Sequence, residues 1–154
     1  MHVIVVRGVA NAGKSTIIKA VARKFGIVVP ISRPDILLQV KICINSKNIH
    51  IGFASAGDRE DQIQTAIKFF EYNKQHVVKP DFIIMACHTR GVTMNAISNA
   101  FENCDNCNIM YFDKNRSIPP HEGDENFALN IVRYIEEKSM KMSLSYAPPT
   151  MAHR

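Results

Sequence analysis

Short apolar runs alternate along this chain with longer segments in which apolar residues recur every three or four positions. Residues 2–7, "HVIVVR", form a β-branched run that stops at a glycine, and they predict a buried strand. In "KSTIIKAVARKF" (residues 14–25), Ile17, Ile18, Val21, Ala22 and Phe25 share one helical face, with Gly26 placed as a C-terminal stop. Beyond the proline-containing "VVPISRPD", the runs "ILLQVKICI" and "NIHIGFAS" alternate in polarity and are separated by "NSK". They predict an antiparallel hairpin at about residues 36–55. The segment "GDREDQIQTAIKFFEYNK" carries Ile63, Ala66, Ile67 and Phe70 at i, i+3, i+4 and i+7, the stripe of an amphipathic helix.

"DFIIMAC" (residues 81–87) reads as a fully buried strand, followed by the polar stretch "HTRG". A helix with Met94, Ile97 and Phe101 on one face comes next, with Thr93 as its candidate cap. "NIMYF" is a strand, "DKNRSIPPHEGD" a loop, and residues 125–139 a last helix with Phe127, Ile131, Tyr134 and Ile135 facing inward. From about Ser143 the periodicity ends and two prolines appear. The expectation is one domain over residues 1–142 and a loose tail over 143–154. Strands alternating with helices predict an α/β three-layer sandwich: a mostly parallel sheet, covered on both faces, with one antiparallel hairpin.

Composition changes this picture little. At 154 residues, with 46% hydrophobic and 21% charged, the chain has the make-up of one globular domain rather than a disordered segment. No apolar run approaches the roughly 20 residues that span a bilayer. No signal-peptide pattern opens the chain, so a cytoplasmic location without membrane partners is expected. Cys43, Cys87, Cys104 and Cys107 then read as free thiols of a reducing compartment. Only "CDNC" has metal-ligand spacing, and it lacks two further ligands at a suitable distance. The net charge of +5 comes from scattered basic residues. That scatter argues against a nucleic-acid stripe and fits a solvated surface or a site that receives phosphates.

The chemistry concentrates in "GVANAGKST", residues 8–16, where Gly8–Ser15 fit G-x-x-x-x-G-K-[ST] without a mismatch. A chance match somewhere in such a chain is on the order of 0.5%, and here the motif lies between a predicted strand and a predicted helix, as phosphate binding requires. Gly8 and Gly13 permit backbone angles and close approaches that a Cβ blocks. The N–H groups of Val9, Ala10, Asn11 and Ala12 can then turn inward around a β-phosphate. Lys14 supplies a mobile positive charge for the β/γ oxygens, and Ser15 a hydroxyl for Mg²⁺. Thr16 adds a contact further along the phosphate chain, and the helix starting at this point aims its positive end at the same phosphates.

Residues 3–25 resemble the first strand, Walker A loop and first helix of P-loop NTPases. The resemblance implies a nucleoside triphosphate and Mg²⁺ as ligands, and a second acidic group near the metal. Asp58, after "IHIGFAS", is the candidate, with capping of the helix that begins at Arg59 as the competing role. Asp81 precedes its strand and belongs to the wrong end of the sheet. "CHTRG" falls at the ligand end. There Arg90 is the candidate for a transition-state or acceptor-phosphate contact, and His88 is either a surface histidine or a group that positions a water or acceptor hydroxyl.

The order of phosphate loop, hairpin and acidic residue also resembles that of translation-factor-like GTPases. The Asn-Lys-x-Asp and Asp-x-x-Gly elements of that class have no counterpart here, where "CHTRG" and "SAGD" stand instead, so ATP is the expected nucleotide. Three activities remain open: ATP hydrolysis, phosphoryl transfer to an unidentified acceptor as in a small-molecule or nucleotide kinase, and a non-catalytic nucleotide switch for a protein partner. A kinase implies a basic lid, for which "DKNRSIPPHEGD" with Lys114 and Arg116 is the candidate. A nucleic-acid-associated ATPase is the weakest reading.

Overall fold

In this computed structural model, residues 1–30, 32, 34–76, 78–116, 121 and 123–145 are described. Five strands form one sheet in the order β2-β3-β4-β1-β5, with β1 (His2–Arg7) between β4 (Phe82–Cys87) and β5 (Asn108–Asp113). β1 runs parallel to both neighbours, with Ile4 opposite Ile84 on one side and Met110 on the other. β3 (Lys47–Ala54) is parallel to β4, and β2 (Leu37–Ile44) is antiparallel to β3 at the sheet edge.

The continuous apolar runs of β1 and β4 reflect burial on both faces. Ile4, Val6, Phe82, Ile84 and Ala86 belong to one core, which α1 (Lys14–Lys24) and α4 (Asp124–Ser145) cover. Their sequence neighbours Val3, Val5, Ile83, Met85 and Cys87 belong to the other, beneath α2 (Glu60–His76) and α3 (Val92–Phe101). This is α/β architecture with a mostly parallel sheet and helices on both faces, as the alternation of elements predicts. Among the described residues no helix is long and apolar enough to cross a membrane.

Several local expectations change. The hairpin loop is two residues rather than three. Asn45 and Ser46 both have positive φ (52° and 64°), as a type I′ turn requires, and Lys47 already pairs with Ile44. Gly26, at φ 84°, closes α1 as expected: its N–H bonds to Arg23 O at 2.9 Å, and the N–H of Ile27 bonds to Ala22 O at 3.1 Å. Thr93 does not cap α3. That helix starts at Gly91 without a side-chain cap, and the Thr93 hydroxyl accepts the His88 N–H at 2.9 Å instead.

The last helix extends beyond residue 139 to Ser145, so its final residues take in the start of the predicted tail; residues 146–154 lie outside the described residues. Cys104 and Cys107 are joined in a disulfide in the turn before β5, where the expectation was free thiols. The turn brings their Cα atoms to 5.3 Å, within bonding range. Cys43 and Cys87 are free.

Candidate functional site

The segment linking β1 to α1 is held in shape by its own carbonyls and by the loop after β5. Asn11 (φ 60°) and Gly13 (φ 96°) take left-handed backbone on either side of Ala12, an alternation that turns N–H groups toward one side. The first intrahelical bond of α1 runs from Ile17 N–H to Gly13 O at 3.0 Å. The Ala12 N–H, expected to face a phosphate, instead donates to Val9 O at 3.2 Å and closes the loop on itself. The role of Gly8 differs from that expected. Its φ is not left-handed; a Cβ there would overlap the carbonyl oxygen of Lys114, so glycine is needed for contact with the chain itself rather than with a ligand. Arg116 donates twice to Ala10 O, at 2.7 and 3.1 Å, and fixes the exposed tip.

Above this segment lies a cavity of about 340 Å³ lined by residues 11–16, Asp35, Ser55 through Asp58, Gln62 and His121. Its size falls in the range of small-molecule sites, about 300–1,000 Å³. It lies at the carboxyl ends of the parallel strands, where ligands of open α/β sheets bind.

Lys14 is 5% exposed, and its Nζ donates to Gly8 O at 2.9 Å and Val9 O at 3.0 Å. The same amine stands 3.2 Å from Asp58 Oδ1, which His88 Nε2 approaches at 3.1 Å. Asp58 thus bridges the Lys14 amine and the His88 ring rather than capping α2. The capping contacts come from Gln62, whose Oε1 accepts the N–H groups of Asp58 and Arg59 at 3.0 and 3.1 Å. Burial pushes the Asp58 carboxyl up, but the charge and hydrogen bond of Lys14, together with those of His88, outweigh it and hold the group below its ordinary 3.8.

A carboxyl lowered in the folded state stabilises the fold above its unfolded pKa, and that stabilisation is lost as pH falls through the native value. The stability difference between wild type and Asp58→Asn is therefore expected to be full above about pH 4 and to shrink as the solution is acidified below that. Asp61 and Asp113, lowered by Arg59 and Arg7, titrate alike in both proteins and cancel. Denaturant midpoints of the two proteins between pH 6 and about 2 measure this; a difference that does not change with pH refutes it.

The sequence reading missed Asp35. Its Oδ1 accepts the hydroxyls of Ser15 at 3.1 Å and Ser55 at 3.0 Å, and Ser55, 2% exposed, also accepts the N–H of Ile36 at 2.8 Å. A carboxylate beside the Ser15 hydroxyl forms a group of hard oxygen donors. Among the described residues no three His, Cys, Asp or Glu side chains converge, so a cation here would lean on hydroxyl, carboxylate, water and ligand oxygens, as Mg²⁺ does.

The remaining candidates are dispersed. Arg90 is exposed, does not line the cavity, and has no hydrogen bond or ion pair with a described residue. Val9 and Ala10 are exposed at the tip of the loop and also lie outside the lining. Asp81 sits at the far end of the sheet, where its Oδ2 accepts the His50 N–H at 2.9 Å. The basic residues of the expected lid are tied to the protein. Lys114, 6% exposed, donates to Asn115 O at 2.8 Å and lies 3.4 Å from Asp124 Oδ1, while Arg116 holds Ala10. Residues 117–120 and 122 of that loop lie outside the described residues. Burial pushes the Cys87 thiol, at the end of β4, up to about 11, which keeps it protonated and non-nucleophilic at neutral pH.

Comparison of the chain with family models, with curated proteins and with solved structures returns no match.

Proposed function

We propose that this chain binds ATP with Mg²⁺ on residues 8–16, in the manner of a P-loop NTPase, and hydrolyses it or transfers its terminal phosphoryl group. The observation that carries this reading is Lys14: a buried amine at the mouth of a loop of left-handed turns, beside a helix N-terminus, in a cavity of ligand size.

When a triphosphate enters, Lys14 exchanges Asp58 for the β/γ oxygens. Ser15 would hold Mg²⁺, with Asp35 accepting the hydrogen bond of the Ser15 hydroxyl so that the lone pairs of its oxygen are free for the cation. Mg²⁺ supplies neutralisation of the phosphate charge. Asp58, released from Lys14, is left beside His88 at the terminal-phosphate end, where it can complete the metal shell through water or take the proton of the incoming water or hydroxyl. In transfer, the bond between the terminal phosphorus and the bridging oxygen breaks, ADP leaves, and the acceptor oxygen gains the phosphoryl group as it gives up its proton.

A second reading, a nucleotide-dependent switch for a protein partner, draws on the position of Asp58 directly before the Arg59 turn that starts α2. Breaking the Lys14 pair would remove one of the contacts that hold this helix end, leaving those of Gln62 and His88. Incubation with γ-labelled ATP and Mg²⁺ separates the outcomes: free labelled phosphate indicates hydrolysis, label on a small molecule indicates a kinase, and tight binding without either indicates a switch. Absence of ATP·Mg²⁺ binding by the wild type overturns all three.

A further inference from the structure

The groups suited to the terminal phosphates and the cation lie on one side of the cavity. Asp35, Ser55 and Asp58 come from the β2–β3 side of the sheet, and Lys14 and Ser15 are turned onto them. In the sheet order β5 lies on the other side of β1 from β2 and β3. From that side, on the connection between β5 and α4, comes His121, which lines the cavity with Nδ1 4.0 Å from where a Cβ on Gly13 would stand.

His121 is built for contact. Its backbone is left-handed (φ 68°), in the turn that Asp124 N–H closes on His121 O at 3.3 Å ahead of α4. Its side chain is 62% exposed, so core packing does not account for it. Nδ1 lies 2.9 Å from Asp124 Oδ2, and Asp124 is itself buried beneath Gly13, with Lys114 Nζ 3.4 Å from its other oxygen. The ring is therefore oriented by a fixed carboxylate, while Nε2 has no partner among the described residues.

We propose that His121 is the nucleoside contact of this site: its imidazole packs against the nucleobase of the bound nucleotide, with Nε2 left to hydrogen-bond to it. The proposal rests on the triphosphate reading above. Aromatic stacking on a base contributes enough that its loss weakens binding about tenfold to a hundredfold.

The test compares ATP·Mg²⁺ with tripolyphosphate·Mg²⁺, which lacks a nucleoside, on wild type and on His121→Asn, by calorimetric titration. Asparagine tolerates the left-handed backbone, and retained tripolyphosphate binding certifies the fold of the variant. Wild type is expected to prefer ATP, and His121→Asn to lose at least about tenfold in ATP affinity while keeping its affinity for tripolyphosphate. Unchanged ATP affinity, or an equal loss on both ligands, overturns the nucleoside assignment. If wild type binds both ligands equally, only this assignment falls; if it binds neither, the triphosphate reading falls with it.

Discussion

Lys14→Ala is expected to weaken ATP·Mg²⁺ binding by roughly 100-fold or more. A hydrogen bond to a charged group contributes about 1.5–3 kcal/mol, and this amine is asked to serve two phosphate oxygens from a site screened from water. The substitution also removes its bonds to Gly8 O and Val9 O and leaves Asp58 with His88 alone. That second effect sharpens the test, because the uncompensated Asp58 carboxylate would then repel phosphate from inside the cavity. Calorimetric titration at fixed Mg²⁺ measures it, with circular dichroism to confirm that the variant is folded. Equal affinity in the two proteins would sink the assignment of residues 8–16 to phosphate.

Gly57→Ala should produce the largest loss of stability of any single methyl added near the site. A Cβ at Gly57 would overlap the carbonyl group of Ala86 in β4, which is backbone in the middle of a packed sheet and has no room to retreat. Overpacking of this kind costs about 1–3 kcal/mol or more, so a fall in the melting midpoint of about 5–10 °C is expected. Relief by outward movement of residues 55–58 would carry Asp58 away from Lys14, so nucleotide affinity should change together with stability. A midpoint within about 1 °C of wild type would mean that the chain passes Ala86 with more freedom than these contacts allow. Gly26→Ala is a useful contrast: it meets no atom within 4 Å and is strained only through its φ.

What the sequence made legible was whatever depends on neighbours in the chain. The strand, loop and helix of residues 2–24 follow from local periodicity and glycine placement, and Lys14 and Ser15 come with them. Asp35 was hidden by direction. In a parallel sheet an acidic group reaches the ligand side by following a strand, because the carboxyl ends of parallel strands face the ligand. β2 runs antiparallel, so its beginning lies at that same edge, and Asp35 arrives there by preceding a strand. Asp58 was found, but its partner was not, since the 3.2 Å approach to Lys14 depends on β4 lying between β1 and β3. In the loop after β5 charge singles out Lys114 and Arg116. Packing of Gly8 against Lys114 commits both to the scaffold and leaves His121 facing the cavity. The Cys104–Cys107 bond depends on how tightly one turn closes, which spacing alone does not determine.

The bracing of the glycine loop bears on the kinetics of ligand capture. Gly8 is wedged against Lys114, Ala10 is clasped by Arg116, and Gly13 rests over Asp124, all of them contacts between groups of the chain itself. A flexible loop would have to be ordered at each encounter, and the entropy of that ordering would be subtracted from the affinity. Here contacts within the fold brace the loop, which lowers that cost. For an anion meeting this loop, arrival is then governed by diffusion and the local field, and what distinguishes a strong ligand from a weak one is how long it stays.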